Sequence, residues 1–229
     1  EGSSAVITFR RPSTIDAQGG DEYTVTLTCT DYSEPNVTSE LDGSVGYVKL
    51  AQISQNADSL VSSAVNSLAA QGAQSFVLDL RDNPGGYLTQ AVNVSSLFLK
   101  SGVVVQIQTK EATSSRQATG SSITDAPLVV LVNGNTAATA ETIAAALQDN
   151  HRATICGDKT MGKGSVQSIQ ELSFGGALRY TSAYYKTPLG YTIDGNGITP
   201  DVQVARSTDA AVDNQKNLAL ETAQSLVRS

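Results

Sequence analysis

Histidine occurs once in the 229 residues, at position 151, and cysteine only twice, at positions 29 and 156. One imidazole and two distant thiols, with no CxxC and no Cys/His cluster, exclude a structural zinc site of ordinary ligand spacing. Spacing does not say whether Cys29 and Cys156 meet, so the thiols leave the redox compartment open. Positive charge is in short supply. Fifteen Lys and Arg stand against 22 Asp and Glu, a net charge of −7. That balance argues against nucleic acid as a partner, because such binders carry basic faces. No run approaches the ~18–20 apolar residues that span a bilayer. The chain opens Glu1-Gly2-Ser3-Ser4, with neither an initiating Met nor a signal-peptide apolar region, and reads as a piece of something longer. What is present is a globular balance, 40% hydrophobic and 16% charged, long enough for one large domain, or one domain plus a fragment, with a buried core.

Residues 4–11 and 22–30 alternate apolar and polar positions, as half-buried strands do, around a loop at 12–21. The polar stretch 31–43, with Pro35 and Asn36 as breakers, reads as a linker. From residue 44 the character changes. Strands are expected at 44–53, 74–81, 103–109, 127–133 and 153–157, and helices at 56–72, 88–100 and 137–149. A polar excursion occupies 111–125. Three more strands follow near 165–172, 177–186 and 202–205, then an amphipathic helix near 209–227. Strands alternating with helices predict an α/β fold, a layered β-α-β core with a largely parallel sheet.

Three places could carry chemistry. Gly157-Asp158-Lys159-Thr160-Met161-Gly162-Lys163-Gly164 satisfies most of the phosphate-cradling pattern GxxxxGK[ST]. Its last position is Gly164 rather than a hydroxyl residue, and the segment behind it is β-like where a helix N-terminus is needed, so no nucleotide is expected. His151 follows the Ala-rich helix, where a cation suits the helix C-terminus. A group at the start of that helix lies on the order of 20 Å away at 1.5 Å per residue, so no histidine triad forms there. The third place is that helix start, Asn133-Gly134-Asn135-Thr136-Ala137-Ala138-Thr139-Ala140-Glu141. A strand running into a tight turn and then a helix aims free N–H groups at one spot, as an oxyanion hole requires. Its side chains offer only Ala and Thr, and Thr136 or Thr139 is a candidate cap.

Four blocks between Gly46 and Val204, about 160 of the 229 residues, resemble the C-terminal processing (tail-specific) peptidases, which are Ser–Lys serine proteases. They are Val77-Leu78-Asp79-Leu80-Arg81-Asp82-Asn83-Pro84-Gly85-Gly86; Asn133 to Asn150; Gly157 to Gln167; and Gly197-Ile198-Thr199-Pro200-Asp201. The family's helix entrance reads Ser-Ala-Ser-Ala-Ser-Glu, with the middle serine as nucleophile. Counted back from Glu141, that serine falls on Ala138. Lys163 lies 25 residues beyond, the family's interval, and so matches the general base, with Gln167 as its supporting glutamine. The resemblance implies an oxyanion hole from the backbone of Gly85 or Gly86 and of Thr139, and supporting positions at Glu141 and Asp149, whose plainer reading is structural at the two helix ends. A lysine acts as base only when neutral, which requires its pKa to fall from about 10.4 towards 7–8 by desolvation. The Gly-Lys-Gly run is therefore expected to present Lys163, between two flexible residues, into a dry cleft.

The resemblance further implies a crotonase/ClpP-like fold, with residues 1–30 as the last strands of a truncated PDZ domain, 31–43 a linker and 44–229 the protease core. It implies no cofactor, a polypeptide substrate with an exposed apolar C-terminus, neither nucleotide nor nucleic acid, and an exported location: periplasm, cell surface or lumen. The C-terminal helix packs on its own core or on a second copy, which leaves a homo-oligomer open. Because Ala138 has no hydroxyl, the chain is expected to be inactive; losing such a nucleophile removes about 10⁶ in rate. Two explanations fit: a serine replaced to hold substrate or stop self-cleavage, or a non-catalytic peptide-binding relative. Retention of Lys163, Gln167 and the glycine turn favours the first.

Overall fold

The structure is a computed structural model and describes residues 3–10, 20–28, 35–209 and 211–227. The chain divides into two compact units, Glu1–Pro35 and Asn36–Ser229. In the first, β1 (Ser4–Arg10) and β2 (Glu22–Thr28) pair antiparallel in continuous register from Ser4 opposite Thr28 to Arg10 opposite Glu22. Facing pairs hold this ribbon: Phe9 stacks on Tyr23 at 5.6 Å, and Thr8 and Thr24 share a hydroxyl bond of 2.9 Å. Most of the loop expected between them, and Cys29, lie outside the described residues.

The second unit runs β3 (Val37–Asp42), β4 (Val45–Leu50), α1 (Ala57–Ala70), β5 (Ser75–Asp79), α2 (Leu88–Ser96), β6 (Val103–Gln108), β7 (Thr113–Gln117), β8 (Leu128–Val132), α3 (Thr139–Asp149), β9 (Thr154–Gly157), β10 (Ser165–Glu171), β11 (Ala177–Lys186), β12 (Val202–Gln203) and α4 (Asn214–Val227). Six strands form the central sheet in the order β12-β9-β8-β5-β4-β3. All its pairs are parallel except β3 with β4. The expected mixed α/β core with a largely parallel sheet is thus the fold observed.

Alternation along the central strands assigns each residue to a layer. Leu128, Val130 and Val132 of β8 enter the larger apolar cluster, beneath α1, α2 and α3; Val129 and Leu131 enter a second cluster with Ala219 and Ala223 of α4. Helix α3 is buried from Thr139 to Leu147, and its alanines allow that: only a narrow helix fits between α2, β6 and the sheet.

Two departures from the sequence expectations follow from pairing partners. Residues 37–42, read as part of a linker, form β3, because Glu40, Ser39 and Thr38 pair with the buried strand β4 and need be apolar on one face only. The 103–109 strand leaves the parallel sheet for a second, antiparallel one, ordered β10-β11-β6-β7, whose last member lies in the polar excursion.

Polar bonds tie α4 down at the carboxyl end of β5. Buried Asp79 accepts the Tyr47 hydroxyl at 2.5 Å and the Arg81 Nη2 at 2.7 Å, and Arg81 Nη1 reaches Asp213 at 2.7 Å. Burial opposes the Arg81 charge, yet Asp213 and Asp79 outweigh it and raise its pKa above the ordinary value. The Arg81 bond in turn holds the Asp213 carboxyl below the usual range. A depressed carboxyl stabilises the fold above its unfolded pKa and loses that contribution as pH falls through the folded value. Asp213→Asn should therefore lower Tm at neutral pH, with the gap to the parent chain closing below about pH 3; a gap constant down to acid would contradict this. Beneath α4, burial pushes the free Cys156 thiol up to about 11. Its contribution is complete below the ordinary thiol range and fades only as pH rises towards that value. Maleimide at pH 8 is expected to spare Cys156 in the native chain and to react at the rate at which α4 leaves the sheet.

Candidate active site

The carboxyl ends of β5 and β8 deliver two turns to one place. After β5, Asn83 is fully buried; its Nδ2 donates to the Leu50 carbonyl at 2.8 Å, its Oδ1 accepts the Gly85 N–H at 2.9 Å, and its carbonyl accepts the Ala137 N–H. Gly86 bridges to Ile53 so tightly that a Cβ there would lie 2.0 Å from the Ile53 carbonyl oxygen, which only glycine permits. After β8, Asn133 Oδ1 accepts the N–H groups of Asp82, Asn135 and Thr136. Bonds from Asn135 and Asn133 hold the Asp82 carboxyl below its usual range.

Ala138 sits where these turns meet, half-buried, as N-cap of α3 with φ 55° and ψ −122°. This is the mirror-turn conformation usually left to glycine, and it costs a residue with a Cβ about 1–3 kcal/mol. The next residue, Thr139, turns its hydroxyl to Gly86, accepting that N–H at 2.8 Å, while its own N–H meets no acceptor among the described residues. Neither threonine caps the helix as expected: Thr136 Oγ1 instead donates to the Leu80 carbonyl.

Glu141 ties this entrance to the lysine-bearing loop. Fully buried one turn into α3, it accepts Ala138 N–H (2.9 Å) and Lys163 N–H (2.8 Å) on Oε2, and Thr160 Oγ1–H (2.5 Å) and Gly162 N–H (2.7 Å) on Oε1. The backbone nitrogens of residues 138 and 163 thus share one oxygen across 25 residues of chain. Thr160 also accepts the Ile198 N–H at 2.7 Å, which brings the Gly197–Asp201 block into the same network.

The site residues expected from sequence divide accordingly. Gly85, Gly86, Ala138, Thr139, Glu141 and the Lys163 backbone are brought together. Gln167 is exposed on β10 and donates to Thr181 Oγ1 at 2.7 Å. Asp149 stands at the far end of α3, accepting the Leu189 N–H, and the exposed His151 lies just beyond it. The Lys163 side chain is exposed rather than held in a dry cleft, and its flanking glycines are not loose. A Cβ on Gly164 would lie 2.3 Å from the Asp194 nitrogen, so close packing against that loop demands glycine. Sequence reading missed Thr160 and Asp194, because a lone threonine and a loop aspartate signal nothing until a partner distant in sequence is placed beside them.

Comparison with known proteins bears on these same blocks. Residues 44–204 match the family described as Peptidase family S41. The chain belongs to that family. A carboxyl-terminal-processing protease of Synechocystis is 44% identical over 182 residues, covering 77% of this chain and 43% of the relative. The Arabidopsis thaliana protein named carboxyl-terminal-processing peptidase 3, chloroplastic, is 45% identical over 161 residues, covering 69% of this chain and 31% of the relative. Among solved structures, a photosystem II D1 C-terminal processing protease superposes with a TM-score of 0.72 at 33% identity, covering 89% of this chain and 56% of that one. The chain therefore spans less than half the length of these two curated relatives. Within peptidase family S41 terms, the Glu141 network joins three of the four sequence blocks.

That network is directly testable. Glu141→Gln puts an amide N–H₂ against two of the four donors, leaving both unsatisfied at about 1–3 kcal/mol each. The urea midpoint should fall by the equivalent of about 2–5 kcal/mol with little change in m. A change under 1 kcal/mol would show the carboxylate to be dispensable.

Proposed function

We propose that this chain carries the core of a Ser–Lys endopeptidase that processes exported proteins from their C-terminal tails, held inactive by alanine at the nucleophile position. The backbone of Ala138 carries the reading: a strained, positive-φ residue at a helix N-terminus, beside an unengaged N–H, on the oxygen of Glu141 that also receives Lys163. An ordinary helix start has no use for such strain, whereas a nucleophile projected between two turns does. In the active form a serine hydroxyl at this position attacks the scissile carbonyl. Its proton passes to Lys163 Nζ, the amine leaves with that proton, and water then hydrolyses the ester. The substrate is a polypeptide with an exposed apolar C-terminus. Residues 1–30 are the closing strands of a PDZ domain ahead of the core, and the location is exported.

A second reading, a non-catalytic peptide-binding relative of the same fold, is favoured by the exposed Lys163 and by Gln167 bonding Thr181 instead of the lysine. One experiment divides the two. Ala138→Ser is treated with a fluorophosphonate and analysed by intact mass and peptide mapping. An adduct at position 138, reduced about 10²–10⁴-fold when Lys163→Ala is added, is the expected result. A folded Ala138→Ser protein that forms no adduct, with or without a second change at Thr139, would overturn the endopeptidase and leave the binding module.

A further inference from the structure

The glycine turn faces the N-terminus of α3 with two N–H groups, and neither is free. That of Gly85 is held by Asn83 Oδ1 at 2.9 Å; that of Gly86 is held by Thr139 Oγ1 at 2.8 Å, and the same hydroxyl lies 3.3 Å from the Gly86 carbonyl oxygen. The Thr139 side chain thus closes a ring on the Gly86 peptide. It has little room to leave: Thr139 is 2% exposed, and a Cβ on Gly85 would lie 2.9 Å from both its nitrogen and its Oγ1. Branching at Cβ stiffens χ1 further.

We infer that the Thr139 hydroxyl is an internal plug of the oxyanion hole, occupying the Gly86 donor. The inference rests on the endopeptidase reading above. An oxyanion needs donors free to converge on it at about 2.7–3.1 Å. With Gly86 engaged and Gly85 turned to Asn83, only the N–H of Thr139 remains. The alanine of the Ser-Ala-Ser-Ala-Ser-Glu pattern has no oxygen to compete at this position. The chain is therefore disarmed twice, at adjacent residues: Ala138 lacks a hydroxyl, and Thr139 carries one aimed at the hole. The Thr139 hydroxyl is not a displaced nucleophile, because it is buried and bound at Gly86.

The test measures fluorophosphonate labelling, in which the introduced hydroxyl forms an O–P bond, fluoride leaves and the proton passes to Lys163. Ala138→Ser is compared with the same protein carrying Thr139→Ala, Thr139→Val or Thr139→Ser. The Ala and Val proteins should label about 10²-fold faster at saturating probe, with the half-saturating concentration unchanged, since one hole donor is worth about that much. The Ser protein, which restores the hydroxyl, should stay slow. Independently of any nucleophile, Thr139→Val in the chain with Ala138 in place should speed amide exchange at Gly86 at least about tenfold while Gly85 keeps its protection. Equal or slower labelling in the Ala and Val proteins, or unchanged Gly86 exchange, overturns the plug and leaves the endopeptidase standing. No adduct on any folded variant overturns the endopeptidase, and the plug with it.

Discussion

A carboxylate with no exposed surface, that of Glu141, holds the site together. Four donors converge on it from the helix entrance, the threonine before the lysine loop, and the loop itself. Losing the carboxylate would strip four donors of one shared partner, so the three segments are held in a single arrangement. Placing Glu141 in the first turn of α3 also sets its charge against the positive end of the helix dipole. The residue looks like a routine helix-start glutamate. Its reach across to residues 160–163 makes it the joint between two halves of a candidate dyad.

Around that joint the fold spends rigidity where chemistry would need it. The turn after β5 is fixed by buried Asn83 and by the contact of Gly86 with Ile53; the turn after β8 is fixed by Asn133 and Asp82. Between them Ala138 is held in a conformation that local energetics disfavour, which is possible only because its neighbours are over-determined. The opposite end of α3 carries Asp149 and Gln148, which bond Leu189 and Asp201. Those contacts seat the helix and the Gly197–Asp201 block at the end away from the candidate site.

The lysine loop is set differently. Its backbone is fixed at Gly162, Lys163 and Gly164 by Glu141 and Asp194, whereas the Lys163 side chain and the following hairpin are open to solvent. The main chain of the candidate base is therefore positioned without its amine being enclosed.

The sequence by itself determined the layering. The unbroken apolar run at 128–132 marks a strand buried on both faces, and the spacing of Val61, Ala64, Val65 and Leu68 marks the buried stripe of α1. The helix entrance and the Gly-Lys-Gly run are local patterns, and the resemblance to the C-terminal processing peptidases singled out positions 138 and 163 and the 25-residue interval between them, because motif order and spacing are one-dimensional facts. Only the tertiary structure decided that Glu141 joins them, that β6 belongs to a second sheet, that Thr139 turns onto Gly86, and that Lys163 points outward. Each of these depends on a partner remote in the chain, and a hydrogen bond between residues 141 and 163 or 86 and 139 leaves no periodic trace in either segment. Strain at Ala138 is the extreme case: alanine is ordinary in any list of residues, and its φ of 55° exists only because two distant turns hold it there.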